Sequence, residues 1–341
     1  MNATTLSRTY QRFSCVGELY ETSLKLEPTK IKLRDESGKE AGTTDGERIM
    51  GEIAVKTDNG TFRFSVYGQN LTSKGEPSKQ WSMYTKMLEW NPVVNGNHSE
   101  PTSKVRIAGT VEVNDYVNKS GELSEGFLRW RVVSGKTIDE EKYREEVRAC
   151  DLTATLMVGR IAPEMKDEKE TGRLLVTFYG ANGNGAVLPI TAVVAAEVAE
   201  AFAENYEKFM TASFVFTQLT VAGGQKKKKE AVFSQGSRVT NETYEHIELM
   251  CVSAYPPIEE PDELTTTDDD GNEVEVKTEW INPKAIAEGL KVRAEYLENL
   301  KKKGYQGKTV TKTSVRPSLQ DRKRSARVSM DDDDFSFDNI F

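Results

Sequence analysis

Histidine and cysteine are scarce in this sequence. Among 341 residues there are two histidines, His98 and His246, and three cysteines, Cys15, Cys150 and Cys251. So few imidazoles leave little for histidine-based catalysis or zinc binding. The cysteines stand far apart without metal-ligand spacing, and their odd number argues against a disulfide framework. A reducing, cytosolic setting is the simple expectation. No run of ~18 apolar residues occurs, which excludes a transmembrane helix. The opening Met1-Asn2-Ala3-Thr4-Thr5 has no apolar core, so no secretory signal is expected. A Walker-type phosphate loop is missing: Gly180-Ala-Asn-Gly-Asn-Gly185 is glycine-rich but does not open the right helix. Asp268–Asp270 lacks the twelve-position calcium pattern. No Ser-His-Asp or Cys-His spacing is found. The expectation is a protein that is not an enzyme and holds no cofactor or metal.

Charge is plentiful and unevenly placed. The net charge is -8, which at first argues against a polyanionic partner. Residues 255–279 carry ten acids against Lys277, and residues 331–341 carry five aspartates and no base. Those two segments hold all of the negative excess, and the remaining 305 residues sum to +6. Within them, residues 301–328 hold ten Lys or Arg against Asp321 alone. An acidic end behind a basic body is an interaction arrangement that a bulk charge conceals.

Alternating apolar residues predict strands over Phe13–Tyr20, Ser23–Leu33, Ile49–Val55, Thr61–Tyr67, Val105–Val113 and Phe127–Val133. A polar loop is expected over residues 35–46. A helix is predicted over Lys79–Glu89, and a short one within 138–149. The second half repeats the order: strands over Leu152–Ile161, Arg173–Tyr179 and Val187–Thr191, a helix over Val194–Phe209, then strands over Ser213–Val221 and His246–Ala254. The helix carries Val194, Val198, Phe202 and Tyr206 at four-residue spacing. The letters repeat too. Gly51-Glu-Ile-Ala54 matches Gly159-Arg-Ile-Ala162, and Gly60–Gly68 matches Gly172–Gly180, which favours a duplication.

Three strands, a helix and two strands is the order of the five-stranded OB barrel, whose loops 1–2 and 4–5 contact oligonucleotides. The expected fold is mainly β: tandem OB-fold barrels with short helices, one C-terminal helix and a disordered acidic tail. The first OB-like domain is placed at 10–136, a connecting segment at 137–149 and the second OB-like domain at 150–256. An acidic linker follows at 257–283. An amphipathic helix at 284–303 starts at Asn282-Pro283, ends at Gly304 and aligns Ile286, Leu290, Ala294 and Leu297. Residues 304–341 form a basic, then acidic, disordered tail.

That tail ends Asp331-Asp332-Asp333-Asp334-Phe335-Ser336-Phe337-Asp338-Asn339-Ile340-Phe341. Rings on an acidic, disordered end call for a receiver, and a final Phe offers carboxylate and ring together. With the OB order, this end resembles the single-stranded DNA-binding proteins of bacteria and bacteriophages. The resemblance implies a core that coats single-stranded DNA in replication, recombination or repair. It also implies a tail, here Asp331 to Asp334, Phe335, Phe337 and Phe341, that recruits a helicase, polymerase or primase. Ile340 departs from the proline that bacterial tails place there, so the phage type fits better. The implied location is the cytoplasm, the host's if phage-encoded.

Three further features fit a strand-binding core. Lys226, Lys227, Lys228 and Lys229 fall in the expected 4–5 loop of the second barrel, where they follow phosphates without reading bases. Arg63 and Tyr67 take the outer face of one strand, Arg173 and Tyr179 that of its matched copy, and Arg129 and Arg131 that of another. Tyr and Arg on one face suit base stacking with phosphate contact. Trp81, Tyr84 and Trp90 read as core before they read as stacking platforms. The basic stretch 301–327 either meets DNA or holds the acidic tail when DNA is absent. The alternatives are a phage structural or assembly protein with OB-like barrels, a replication accessory factor, and an RNA-binding OB protein.

Overall fold

The computed structural model describes residues 9–35, 37–166, 168–181, 186–232, 236–262, 265–267, 273–275 and 278–304. The first half contains β1 (Gln11–Thr22), β2 (Lys25–Arg34), β3 (Glu40–Thr57), β4 (Gly60–Gln69), α1 (Trp81–Met87), β5 (Lys104–Val117) and β6 (Leu123–Thr137). A short helix α2 (Glu140–Glu145) leads to β7 (Cys150–Lys166), β8 (Lys169–Ala181), β9 (Val187–Val194), α3 (Ala196–Asn205), β10 (Thr211–Val232) and β11 (Gly236–Ala254). The small pair β12 (Thr265–Thr267) and β13 (Glu273–Glu275) precedes α4 (Pro283–Lys303). No helix among the described residues is long and apolar enough to cross a membrane.

The strands close twice. In the first half β1 pairs with β3 and β5, β3 with β4, β5 with β6, and β4 runs parallel to β6. In the second, β7 pairs with β8 and β10, β8 with β9, β10 with β11, and β9 runs parallel to β11. Each half is therefore an OB-type barrel with its helix between the third and fourth barrel strands. The strict alternation in β4 makes this possible, because Phe62, Phe64 and Val66 are sealed inside. Phe13, Phe64 and Trp130 meet in the first barrel, with centroids 5.3 Å apart from Phe13 to each of the other two. Phe178, Phe202, Phe214 and Phe216 fill the second.

β1 also pairs antiparallel with β7, from Gln11 opposite Ala154 to Cys15 opposite Cys150, which joins the two barrels into one sheet. The two thiols that stand 135 positions apart in sequence are thus cross-strand neighbours, both buried and both reduced. A second tie runs from the β3–β4 turn, where Asn59 accepts from the Thr220 N–H at 2.8 Å. A third is α4, whose Ile286 packs with Met157 and Val187 of the second barrel. Further along, its Arg293 reaches Asp115 of the first at 2.7 Å.

Several expectations are corrected. Residues 40–46 are strand, not loop: β3 pairs with β2 out to Arg34 opposite Glu40, and the ladder satisfies a stretch with few apolar residues. The inward stripe of α3 is Ala199, Phe202 and Tyr206, while Val198 is exposed, because a 3.6-residue turn drifts off four-residue spacing. In α4 the same drift turns Arg293 inward and leaves Ala294 exposed. The letter repeat is not the structural repeat. Gly51–Ala54 and Gly60–Gly68 lie on the second and third strands of the first barrel. Gly159–Ala162 and Gly172–Gly180 lie on the first and second strands of the other. Both stretches are hairpins with the same demands, alternating apolar residues and a glycine beside Tyr67 or Tyr179 where a ring or side chain packs closely. A Cβ on Gly68 would fall 2.2 Å from the Tyr84 ring.

Candidate nucleic-acid interface

The outer face of β4 and β6 collects rings and guanidinium groups. The two strands run parallel with Ser65 opposite Arg131, so Tyr67 lies just past that pair. The Arg131 guanidinium sits 5.9 Å from the Tyr67 ring centroid, and its Nη1 lies 3.4 Å from the Glu112 carboxylate. Tyr67 is 38% exposed, and its hydroxyl accepts from the Gln69 amide at 2.6 Å. Alternation along β6 places Leu128, Trp130 and Val132 inward and Phe127, Arg129 and Arg131 outward, as Trp130 and Val132 at 7% and 0% exposure attest. Phe127 is 57% exposed. It lies four residues from Arg131, about 13 Å along a strand. Sequence reasoning named Arg129 and Arg131 but passed over Phe127, although the same alternation turns it outward.

The end of β6 that carries Phe127 is braced. Gly126, at φ 71°, donates its N–H to buried Asp115 at 2.7 Å, and the same Asp115 oxygen accepts from Arg293 of α4. The ring therefore stands on a fixed rim between the fourth and fifth strands of the barrel.

The other expected site residues fall in different settings. Arg63 is exposed but pairs with Glu21 at 2.8 Å and Glu52 at 3.8 Å, so a phosphate there would displace carboxylates. Arg173 is only 24% exposed and is held between Glu164 at 3.2 Å and Glu248 at 2.6 Å. Burial pushes the Glu248 carboxyl up, but hydrogen bonds from His246 and Arg173 outweigh that and hold it below the usual range. Tyr179 is half-buried against Met157, Val187, Ile281 and Ile286, with its ring across Gly159, where a Cβ would fall 2.4 Å away. Tyr67 and Tyr179 are also not equivalent: one lies on the third strand of its barrel, the other on the second. Trp90 and Tyr84 are core, at 7% and 3% exposure, and Trp81 packs against them.

The tetralysine is not in a loop. Lys226, Lys227, Lys228 and Lys229 lie in β10, opposite Glu242, Asn241, Thr240 and Val239 of β11. The two strands extend beyond the barrel as a ribbon to Val232 opposite Gly236, because continued pairing satisfies backbone groups that a loop would leave to water. The ribbon still occupies the connection between the fourth and fifth strands. Asp331, Asp332, Asp333, Asp334, Phe335, Phe337 and Phe341 lie outside the described residues, as do Asp268–Asp270. No group of metal-ligating side chains occurs among the described residues.

A family model described as YorF matches residues 21–282. Comparison with curated proteins returns no match. Among solved structures, the chain is similar to the wild-type single-stranded DNA binding protein from Thermus aquaticus. That match has 10% identity and a TM-score of 0.40, covering 75% of this chain and 97% of that one. A deletion variant of the same protein matches at 12% identity and a TM-score of 0.39, covering 75% and 99%.

Proposed function

The chain belongs to the YorF family, and we propose that it binds single-stranded DNA without sequence preference through its two barrels, residues 10–136 and 150–256. The observation that carries this reading is the outer face of β4 and β6. There two exposed rings, Tyr67 and Phe127, share a strand surface with Arg129 and Arg131. Rings stack on any base and guanidinium groups meet phosphates, so such a surface holds a strand without reading it. The tetralysine ribbon adds sequence-independent charge at the position where OB barrels meet oligonucleotides. Asp331 to Phe341 then recruits replication proteins during replication or recombination of, we infer, phage DNA.

Titration of the intrinsic fluorescence with oligo-dT, alongside duplex DNA and oligo-U, tests the assignment. The expected result is quenching by oligo-dT with a log–log salt slope of about -0.7 per phosphate contacted. Replacing Lys226–Lys229 with alanine should make that slope shallower by at most about 2.8, and by equal amounts for all sequences. Equal affinity for duplex, or a slope near zero, would overturn the assignment. Tighter binding of oligo-U than oligo-dT would move it to RNA.

A further inference from the structure

Where β1 of the first barrel pairs with β7 of the second, the outward side of the joint sheet opens into a cleft of about 490 Å³. Its lining includes Tyr10 and Arg12 from β1 and the residues before it, Arg106 from β5, Lys136 from β6, and Asp151 and Thr153 from β7. Arg12 and Lys136 are exposed, and neither side chain has an ion-pair partner among the described residues. Tyr10 is 54% exposed. Arg106 is held by Glu146. The one carboxylate of the lining, Asp151, already accepts from the Thr217 hydroxyl. The cleft thus offers two cations without ion-pair partners among the described residues, a hydroxyl and a ring, beside one carboxylate, Asp151, that accepts a hydrogen bond from Thr217.

Resting on the strand-binding reading above, we propose that this seam cleft carries the sugar–phosphate backbone of single-stranded DNA as it passes from one barrel to the other. Lys136 stands opposite Arg106, and Arg106 opposite Val16, so Arg12 lies two strand spacings and four residues away, roughly 16 Å. That is too far for one phosphate and suits separate phosphates of one chain. Asp151 and Thr153 bring β7 of the second barrel into the wall, so a strand that crosses the seam passes over the cleft. Both cations belong to the first barrel, so oligomer length is what separates a crossing strand from a site on that barrel alone.

The test uses the full chain carrying Arg12→Ala and Lys136→Ala, with two oligo-dT lengths. One of about 8 nucleotides lies within the span of a single OB barrel, and one of about 40 exceeds two. Both residues are exposed, so the thermal midpoint should not move. For the long oligomer the salt slope should become shallower by about 1.4, two contacts at 0.7 each, while the short oligomer keeps its wild-type slope. An unchanged slope on the long oligomer, or an equal change on both, overturns the cleft. If the wild-type chain binds neither length, the strand-binding reading itself has failed, and the two failures stay distinct.

Discussion

Tyr67 keeps more than a third of its surface in solvent while its neighbours Phe64 and Val66 are sealed, and Phe127 keeps more than half. A ring so placed contributes little to the core and is free to stack. Tyr67→Ala and Phe127→Ala should each weaken oligo-dT binding by about 1–3 kcal/mol and leave the urea midpoint unchanged. A drop in the midpoint with unchanged binding would show that these rings are structural. Tyr179→Ala should behave in that second way, because its ring lies over Gly159 beneath Ile281 and Ile286. Inward and outward sides were legible from alternation alone, which placed Phe62, Phe64, Arg63 and Tyr67 on the sides they occupy. Alternation says nothing about what later covers an outward side. The segment that covers Tyr179 lies a hundred residues on. The thiols make the same point. Cys15 and Cys150 are distant in sequence and adjacent in the sheet. Burial pushes Cys251 from its ordinary 9.0 up to about 12 and drives Cys150 up as well, with Cys15 beside it adding to the rise. A thiol whose folded pKa exceeds its unfolded value contributes stability that is whole below about pH 9 and lost as pH rises toward 12. Native protein should therefore not react with a thiol-specific dye at pH 8, and its urea midpoint should fall between pH 9 and 11. Rapid native labelling of any cysteine would contradict the burial.

At the scale of elements, α4 is the piece whose ends were most legible. Asn282 accepts from the Lys284 N–H at 2.9 Å, Pro283 opens the helix, and Gly304 closes it at φ 68°. These are local cap chemistries, and local chemistry reads directly from sequence. Its target was not legible, because the residue that docks it is a charge. Arg293, 14% exposed, meets Asp115, 4% exposed, across 178 positions. Removing the guanidinium leaves a buried carboxylate with the Gly126 N–H as its remaining partner, a change that costs about 3–5 kcal/mol. Arg293→Ala should lower the stability measured by urea by that amount. A loss below about 1 kcal/mol, the range of exposed pairs, would mean that α4 does not strap the barrels. The β10–β11 ribbon was illegible for the opposite reason. Lys-Lys-Lys-Lys has no β propensity to announce a strand, and its pairing follows from the ladder that β10 and β11 have already begun.

At the scale of the whole molecule, the order of elements carried the fold and the letters misled. Barrel closure depends on which strand meets which, and that order survives when individual residues do not. The charge order is the other whole-chain property, and it yields a prediction that no single residue does. The acidic residues 331–341 lie beyond the basic residues 301–328, of which Lys301, Lys302 and Lys303 are exposed at the described end of α4. On the reading proposed above, the five aspartates of 331–341 compete with phosphates for the same cations. Deleting Asp331–Phe341 should therefore leave oligo-dT binding intact or tighten it. The gain should be largest at low salt, since charges farther apart than a Debye length of ~10 Å at 0.1 M are screened. The same deletion should abolish association with replication proteins. Phe341→Ala separates the two effects, because it keeps every aspartate. Competition with DNA should persist while partner capture fails, as expected if the ring is what a partner's pocket receives and the charge is what the cations attract. If the deletion weakens oligo-dT binding and partners are still captured, the end of this chain neither competes nor recruits, and its aspartates serve only to keep the protein in solution.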